Sequence, residues 1–237
     1  MDVDPYELLV RWYLRFNGYL GVENFVIQQT VEGGNVQVGE IDILAVRFPN
    51  SREDPGFALE TDPRLLDSEA VDHALVDFVV AEVKGGQKDT LNTVWQGPPD
   101  PAKIARAAYV VQWLGPFSDK ALIQRVATEL QASHRSRSGQ FLFRVVKFAH
   151  KVRPKLSLRQ VTFNDIADFL VRVRAPSWQG HGYGSRSPHN QWHPFIRSLW
   201  TIADPQDGSD PQAKIQAILE HVAKAAEPRA GADSAKA

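Results

Sequence analysis

The sequence predicts an α/β fold, a mixed β-sheet flanked by helices. Three observations predict it. The runs "ENFVIQQTV" and "VQVGEIDILAVRF" are apolar and rich in β-branched residues, and the turn "EGGN" joins them, so they read as a hairpin. Two more strand-like runs follow, "DFVVAEVK" and "GQFLFRVVKFA". Helical patterns precede the hairpin, separate the last two strands and follow them. The resulting order (helix, hairpin, strand, helix, helix, strand, helix) belongs to a sheet covered by helices.

The bulk numbers fit this class. The chain has 237 residues, with 43% apolar and 23% charged, which suits one large domain or a domain with a small appendage. No run approaches the roughly 18 apolar residues of a membrane span. The start "MDVDPYELLV" lacks the basic and apolar regions of a signal peptide. A cytoplasmic location and no membrane partner are expected. There is no cysteine, which excludes disulfides, thiolate zinc sites and a cysteine nucleophile.

Each element has a local justification. Asp4 can cap the first helix, Pro5 suits its first position, and Glu7 stands three residues past the cap. Leu8, Leu9, Trp12, Tyr13 and Phe16 then form one apolar stripe, which Gly18 or Gly21 can end. Along the second hairpin strand Glu40 and Asp42 share one face, and Ile41 and Ile43 the other. Residues 49–76 break the pattern and read as an acidic insertion, with a short helix expected around 67–75. Residues 101–115 and 119–133 are helices. Thr162 and Asp165 form a capping box for a helix to residue 173. Residues 1–174 therefore make the main domain. Residues 175–190 are a Gly-, Ser-, His- and Pro-rich loop, the C-terminal helices to residue 228 pack on the same domain, and 229–237 form a disordered tail.

Net charge is −1, yet the charges are segregated. Residues 49–77 hold eight acids against two arginines. Residues 130–164 hold no acid but eight cations: Arg135, Arg137, Arg144, Lys147, Lys151, Arg153, Lys155 and Arg159. Such a segment is a candidate polyanion-binding face, or else a solvated face balanced by the insertion.

The strand "DFVVAEVK" raises a chemical question. Glu82 and Lys84 share a face with Phe78 and Val80. A lone carboxylate there would cost several kcal/mol or be forced neutral. A lysine partner alone recovers little of that cost. A divalent cation answers better, and Asp42 on the neighbouring strand could share it, since adjacent strands lie ~4.8 Å apart. Carboxylate oxygens favour Mg²⁺ or Mn²⁺. Such an ion would polarise a phosphoryl oxygen and acidify a water. Lys84 would deprotonate or orient that water, or offset developing negative charge.

Asp42 in "GEIDILA", followed by Glu82-Val83-Lys84 in "VVAEVKG", resembles the PD-(D/E)XK nuclease superfamily, whose members include restriction-endonuclease-like and Holliday-junction-resolvase-like proteins. The resemblance spans residues 4–115 and includes a preceding helix with an early acid, here Glu7. It departs from the pattern at two points: Ile41 replaces the proline of the first motif, and 40 positions separate Asp42 from Glu82, which the insertion accounts for. The resemblance implies a restriction-endonuclease-like core with C-terminal helical additions. It also implies a Mg²⁺-dependent (or Mn²⁺-dependent) nuclease cutting DNA phosphodiesters, with RNA left open as a substrate. Asp42, Glu82 and the Val83 carbonyl would be metal ligands, Lys84 the catalytic lysine and Glu7 an auxiliary acid. By family analogy a homodimer is expected.

The runner-up is an inactive member of that fold, binding nucleic acid or protein, with the insertion as an arm or a lid. Glu7 could equally be only the capping-box acid, and Glu40 only a charge near a strand start. His181, His189 and His193 suggest zinc weakly, because Pro194 interrupts the helix that would align them. Trp178, Tyr183, Trp192 and Trp200 could stack on bases, but more often such residues anchor a loop.

Overall fold

The computed structural model describes residues 4–31, 34–51, 61–66, 75–86, 89–174, 192–205 and 208–227. By internal contacts the chain divides into two compact units. One is Val10–Ile166, and the other combines Met1–Leu9 with Ala167–Ala237. The division falls inside the first and fourth helices, not in the loop after residue 174.

Among the described residues, six strands form one mixed, mostly antiparallel sheet in the order β1-β2-β3-β5-β4, with β6 on the same side of β5 as β4. The hairpin is β1 (Leu20–Val31) and β2 (Gly34–Arg47), and β3 (Val76–Lys84) pairs antiparallel with β2. From β3 the chain crosses over through α2 (Pro101–Leu114) and α3 (Lys120–Ser133) to β5 (Phe141–Ala149), which runs parallel to β3. A parallel neighbour needs such a crossover, because a tight turn only reverses the chain. β4 (Arg135–Ser138) and β6 (Arg159–Thr162) are four-residue strands at the edge of β5. The sequence reading missed both: "RSRS" and "RQVT" are short, polar edge strands without alternation.

The helices α2 and α3 cover one face. Ala107, Val110 and Val111 from α2 and Ile123, Val126 and Leu130 from α3 share a core with Leu44, Phe78, Val80, Phe143 and Val145. Each such side chain contributes roughly 1.5–3 kcal/mol by its burial. Phe78 stacks on Phe143, its register partner, at 4.8 Å. Asp100 and Asp119 cap these helices by accepting from Lys103 N and Ala121 N. The opposite face meets α1 (Pro5–Phe16), whose Tyr13 lies edge-on to Phe148. α1 is capped as expected, with Tyr6 N donating to Asp4 Oδ1 at 2.7 Å. Gly18 follows with φ +85, and a Cβ there would sit 2.5 Å from the Ser51 carbonyl oxygen, so only glycine fits.

α4 (Phe163–Val173) starts within the Val10–Ile166 unit at the expected capping box: Thr162 N donates to Asp165 Oδ2 at 2.8 Å, and Asp165 N to Thr162 Oγ1 at 3.0 Å. Two C-terminal helices follow, α5 (Pro194–Ile202) and α6 (Pro211–Ala226). Ser198 on α5 hydrogen-bonds His221 on α6 at 2.8 Å. Among the described residues no helix is long and apolar enough to cross a membrane.

Candidate active site

The apolar rows of β3 and β5 end in charge. After Phe78 and Val80 the same face of β3 carries Glu82 and Lys84, and after Phe143 and Val145 the same face of β5 carries Lys147. Glu82 is 1% exposed. Lys84 Nζ lies 2.9 Å from Glu82 Oε2 and 3.1 Å from Asp42 Oδ2, so one ammonium bridges carboxylates from two strands. The Val83 amide donates to Asp42 Oδ2 at 2.6 Å. The Val83 N–H thus helps to fix Asp42, while the Val83 carbonyl is the atom that the resemblance implies as a ligand.

The loop after β3 closes the site from above. Asn92 N donates to Glu82 Oε2 at 2.9 Å, while its side-chain amide donates to the Glu40 carbonyl at 2.6 Å. Asn92 Oδ1 also caps a 3₁₀ turn, Thr93–Trp95, by accepting from Val94 N. Asn92 therefore ties β2, Glu82 and the loop together. It escaped sequence reasoning because its main contribution is a backbone N–H, which leaves no mark on residue type.

Burial pushes the Glu82 carboxyl up, Asp42 adds to this, and Lys84 and the Asn92 amide oppose it; the net shift is upward. Burial would lower the Lys84 ammonium, but Glu82 and Asp42 outweigh it and hold its pKa above the ordinary lysine value. In this metal-free arrangement the two carboxylates favour the charged form of Lys84. Of the roles considered for it, offsetting negative charge and orienting water fit this environment.

A divalent cation fits the donor set. Glu82 Oε1 is buried and has no hydrogen-bond partner among the described residues, an arrangement that is costly unless another group completes it. Asp42, 21% exposed at its side chain, lies on the open side. Asp42 and Glu82 would hold the ion. Among the described residues no group of three or more His, Asp or Glu side chains is gathered for a metal, so water and substrate oxygens would complete the shell, as Mg²⁺ often requires.

Glu7 is half-buried in the first turn of α1 and belongs to the unit that excludes Asp42, Glu82 and Lys84. Glu40 is exposed and takes part through its carbonyl. His193 caps α5 by accepting from Phe195 N, while His181, His189, Trp178 and Tyr183 lie outside the described residues. Trp192 stands edge-on to Trp200, as loop anchors do.

The basic segment is not one surface. Arg144 is 2% exposed and holds Asp77 through Nε at 3.1 Å and Nη2 at 2.6 Å. Its Nη1 donates to the Leu65 carbonyl. Arg159 donates to the carbonyls of Pro63, Arg64 and Leu66. These two arginines fasten residues 61–66, a described part of the acidic insertion. The short helix expected around 67–75 lies almost wholly outside the described residues. Lys147 is 0% exposed and pairs with Asp89. Arg144 so placed cannot meet a polyanion, so it is corrected to an interior residue; Lys147 is buried too, with Asp89 as its surface partner. Lys151, Arg153 and Lys155 are exposed on the loop after β5, beside the site: His150 Nε2 lies 3.0 Å from the Gly85 carbonyl, and Arg153 pairs with Asp89. Arg135 and Arg137 sit on β4 opposite Arg144 and Leu142, three and five positions along β5 from Lys147, or roughly 10 and 17 Å at ~3.3 Å per residue. A Cβ on Gly86 would meet nothing within 4 Å, so crowding does not explain that glycine.

Comparison of this chain with family models, with curated proteins and with solved structures finds no match.

Proposed function

We propose that the protein is a Mg²⁺- or Mn²⁺-dependent nuclease of the PD-(D/E)XK type, hydrolysing DNA phosphodiesters at Asp42, Glu82 and Lys84. One observation carries this reading: a buried glutamate, one oxygen of which has no hydrogen-bond partner among the described residues, converges with a second carboxylate and a lysine at the end of two apolar strands. A structural salt bridge would be better replaced by apolar residues here, whereas phosphodiester hydrolysis needs this trio. The hairpin position of "GEIDILA" and the third-strand position of "VVAEVKG" support the same reading.

Asp42 and Glu82 would hold the ion, which supplies an acidified water and a polarised phosphoryl oxygen. Lys84, kept protonated by its two carboxylates, faces the charge that develops on the phosphate. Asn92 keeps Glu82 from turning away. The exposed Lys151, Arg153 and Lys155 give a polyanion a positive approach beside the site. Glu7 as auxiliary acid, a homodimer and a cytoplasmic location belong to the proposal.

The test is cleavage of linear, circular, single-stranded and branched DNA, and of RNA, with Mg²⁺ and with Mn²⁺. Wild type should cut. Asp42→Asn and Lys84→Ala should lose about 10²–10⁴ in rate, the range for a group acting in the transition state. Glu7→Gln cutting like wild type would reduce Glu7 to a helix cap. No cleavage of any substrate with either ion would discard the nuclease reading for a binding module.

A further inference from the structure

The mechanism above leaves Lys147 unused. It extends the apolar row Phe143–Val145, yet it is a lysine with no exposure at all. Its register partner across the parallel pair is Glu82, so it leaves the sheet one strand spacing, ~4.8 Å, from that carboxylate and on the same face. Burying an ammonium there is costly and calls for a use. Among the described residues its ion-pair partner is Asp89. One carboxylate oxygen cannot satisfy three N–H donors, and Nζ makes no well-directed hydrogen bond.

Asp89 is the surface member of the cluster, with its side chain 27% exposed. Its second oxygen pairs with Arg153 Nε at 2.7 Å, and the Arg153 side chain is 49% exposed. Arg153 is held in place at its backbone: its N–H donates to Gln160 Oε1 and its carbonyl accepts from Gln160 Nε2, both at 2.8 Å. Two cations from the end of β5 and its following loop thus cradle one anion, and that anion stoppers a buried lysine. A carboxylate between a lysine and an arginine occupies the place that a phosphate would take.

We propose that Lys147 and Arg153 form a phosphate-binding subsite beside Asp42, Glu82 and Lys84, occupied by the Asp89 carboxylate until a backbone phosphate of nucleic acid displaces it. That the phosphate belongs to nucleic acid rests on the nuclease reading; the anion cradle does not. A tethered carboxylate keeps out small free anions, while a polymer gripped elsewhere by Lys151 and Lys155 can displace it. The subsite therefore selects polyanions over free phosphate.

The experiment compares wild type, Asp89→Asn and Asp89→Asn/Lys147→Met, all in EDTA. Binding of a labelled single-stranded DNA oligonucleotide is followed by anisotropy. Thermal unfolding is followed with inorganic phosphate against chloride of equal ionic strength. Asp89→Asn should bind the oligonucleotide about tenfold tighter, the order expected for removing one like charge from a partly solvated site. Phosphate should raise its unfolding midpoint and leave that of wild type unchanged. Lys147→Met, which fits the apolar row, should cancel both gains. If Asp89→Asn unfolds without phosphate, it should refold in phosphate and not in chloride. No gain from Asp89→Asn, a gain that survives Lys147→Met, or failure to refold in either salt overturns the subsite. A phosphate gain without an oligonucleotide gain overturns its assignment to nucleic acid. Both gains with no metal-dependent cleavage by wild type would remove the nuclease reading and leave the subsite standing.

Discussion

Replacing Arg144 by methionine tests whether this arginine is a surface cation or a structural one. Its guanidinium makes two hydrogen bonds to Asp77, one to the Leu65 carbonyl and one to Tyr19 Oη. Asp77 is itself 1% exposed. Without Arg144 that carboxylate keeps the Tyr19 hydroxyl but loses its counter-charge. Breaking one side of a buried pair costs about 3–5 kcal/mol. At roughly 2–4 °C per kcal/mol for a chain of this size, the unfolding midpoint should fall by about 6–20 °C. Arg144→Lys keeps the charge but loses the forked geometry, so it should fall between wild type and Arg144→Met. Calorimetry or circular dichroism reads both. The salt dependence of DNA binding should keep its slope in any variant that stays folded. A loss of stability below about 1 kcal/mol, the range of exposed pairs, or a slope reduced by about 1 would refute the interior assignment.

Three further outcomes are expected. Mn²⁺ affinity, measured by titration calorimetry, should fall as pH drops through a midpoint above 4.5, because burial raises the Glu82 carboxyl above that ordinary value and only the carboxylate binds metal; a midpoint at or below 4.5 would contradict the upward shift. In metal-free protein the sign is opposite: the cost of burying ionised Glu82 is absent below 4.5 and grows as pH rises through its folded value. Asn92→Ala keeps the backbone N–H to Glu82 but removes the tie to Glu40 and the cap on Val94 N that position it, and should cost about 1 kcal/mol of stability and roughly 10–100-fold in metal affinity, as outer-shell changes do; unaltered affinity would mean that these side-chain ties do not position the N–H on Glu82. Gly18→Ala should destabilise by more than the about 1 kcal/mol typical of a substitution, since its φ and the Ser51 carbonyl both exclude a Cβ; an unchanged melting curve would contradict that geometry.

Elements with a periodic apolar signal were legible before any coordinates. The α1 stripe, the hairpin, β3, α2, α3 and β5 follow from spacing, and Asp4, Thr162 and Asp165 announce two helix starts by residue type. β4 and β6 were not legible, because four-residue edge strands are stabilised by the partner's backbone and need no pattern of their own. The trio Asp42, Glu82 and Lys84 was legible for the opposite reason: charges at the end of apolar strands stand out against their neighbours.

The sequence by itself therefore determined the class of fold and which side chains break the apolar pattern at the sheet's end, since periodicity and polarity are local properties. Only the tertiary structure decided what each cation does. Eight basic residues in one acid-free segment look alike in sequence, yet register and burial separate them. Arg144 and Arg159 hold the insertion, Lys147 is sunk beside Glu82 under Asp89, and Lys151, Arg153 and Lys155 face outward. Charge is carried by composition, but the dielectric around a charge and the partner opposite it are set by strands that meet only when the chain folds.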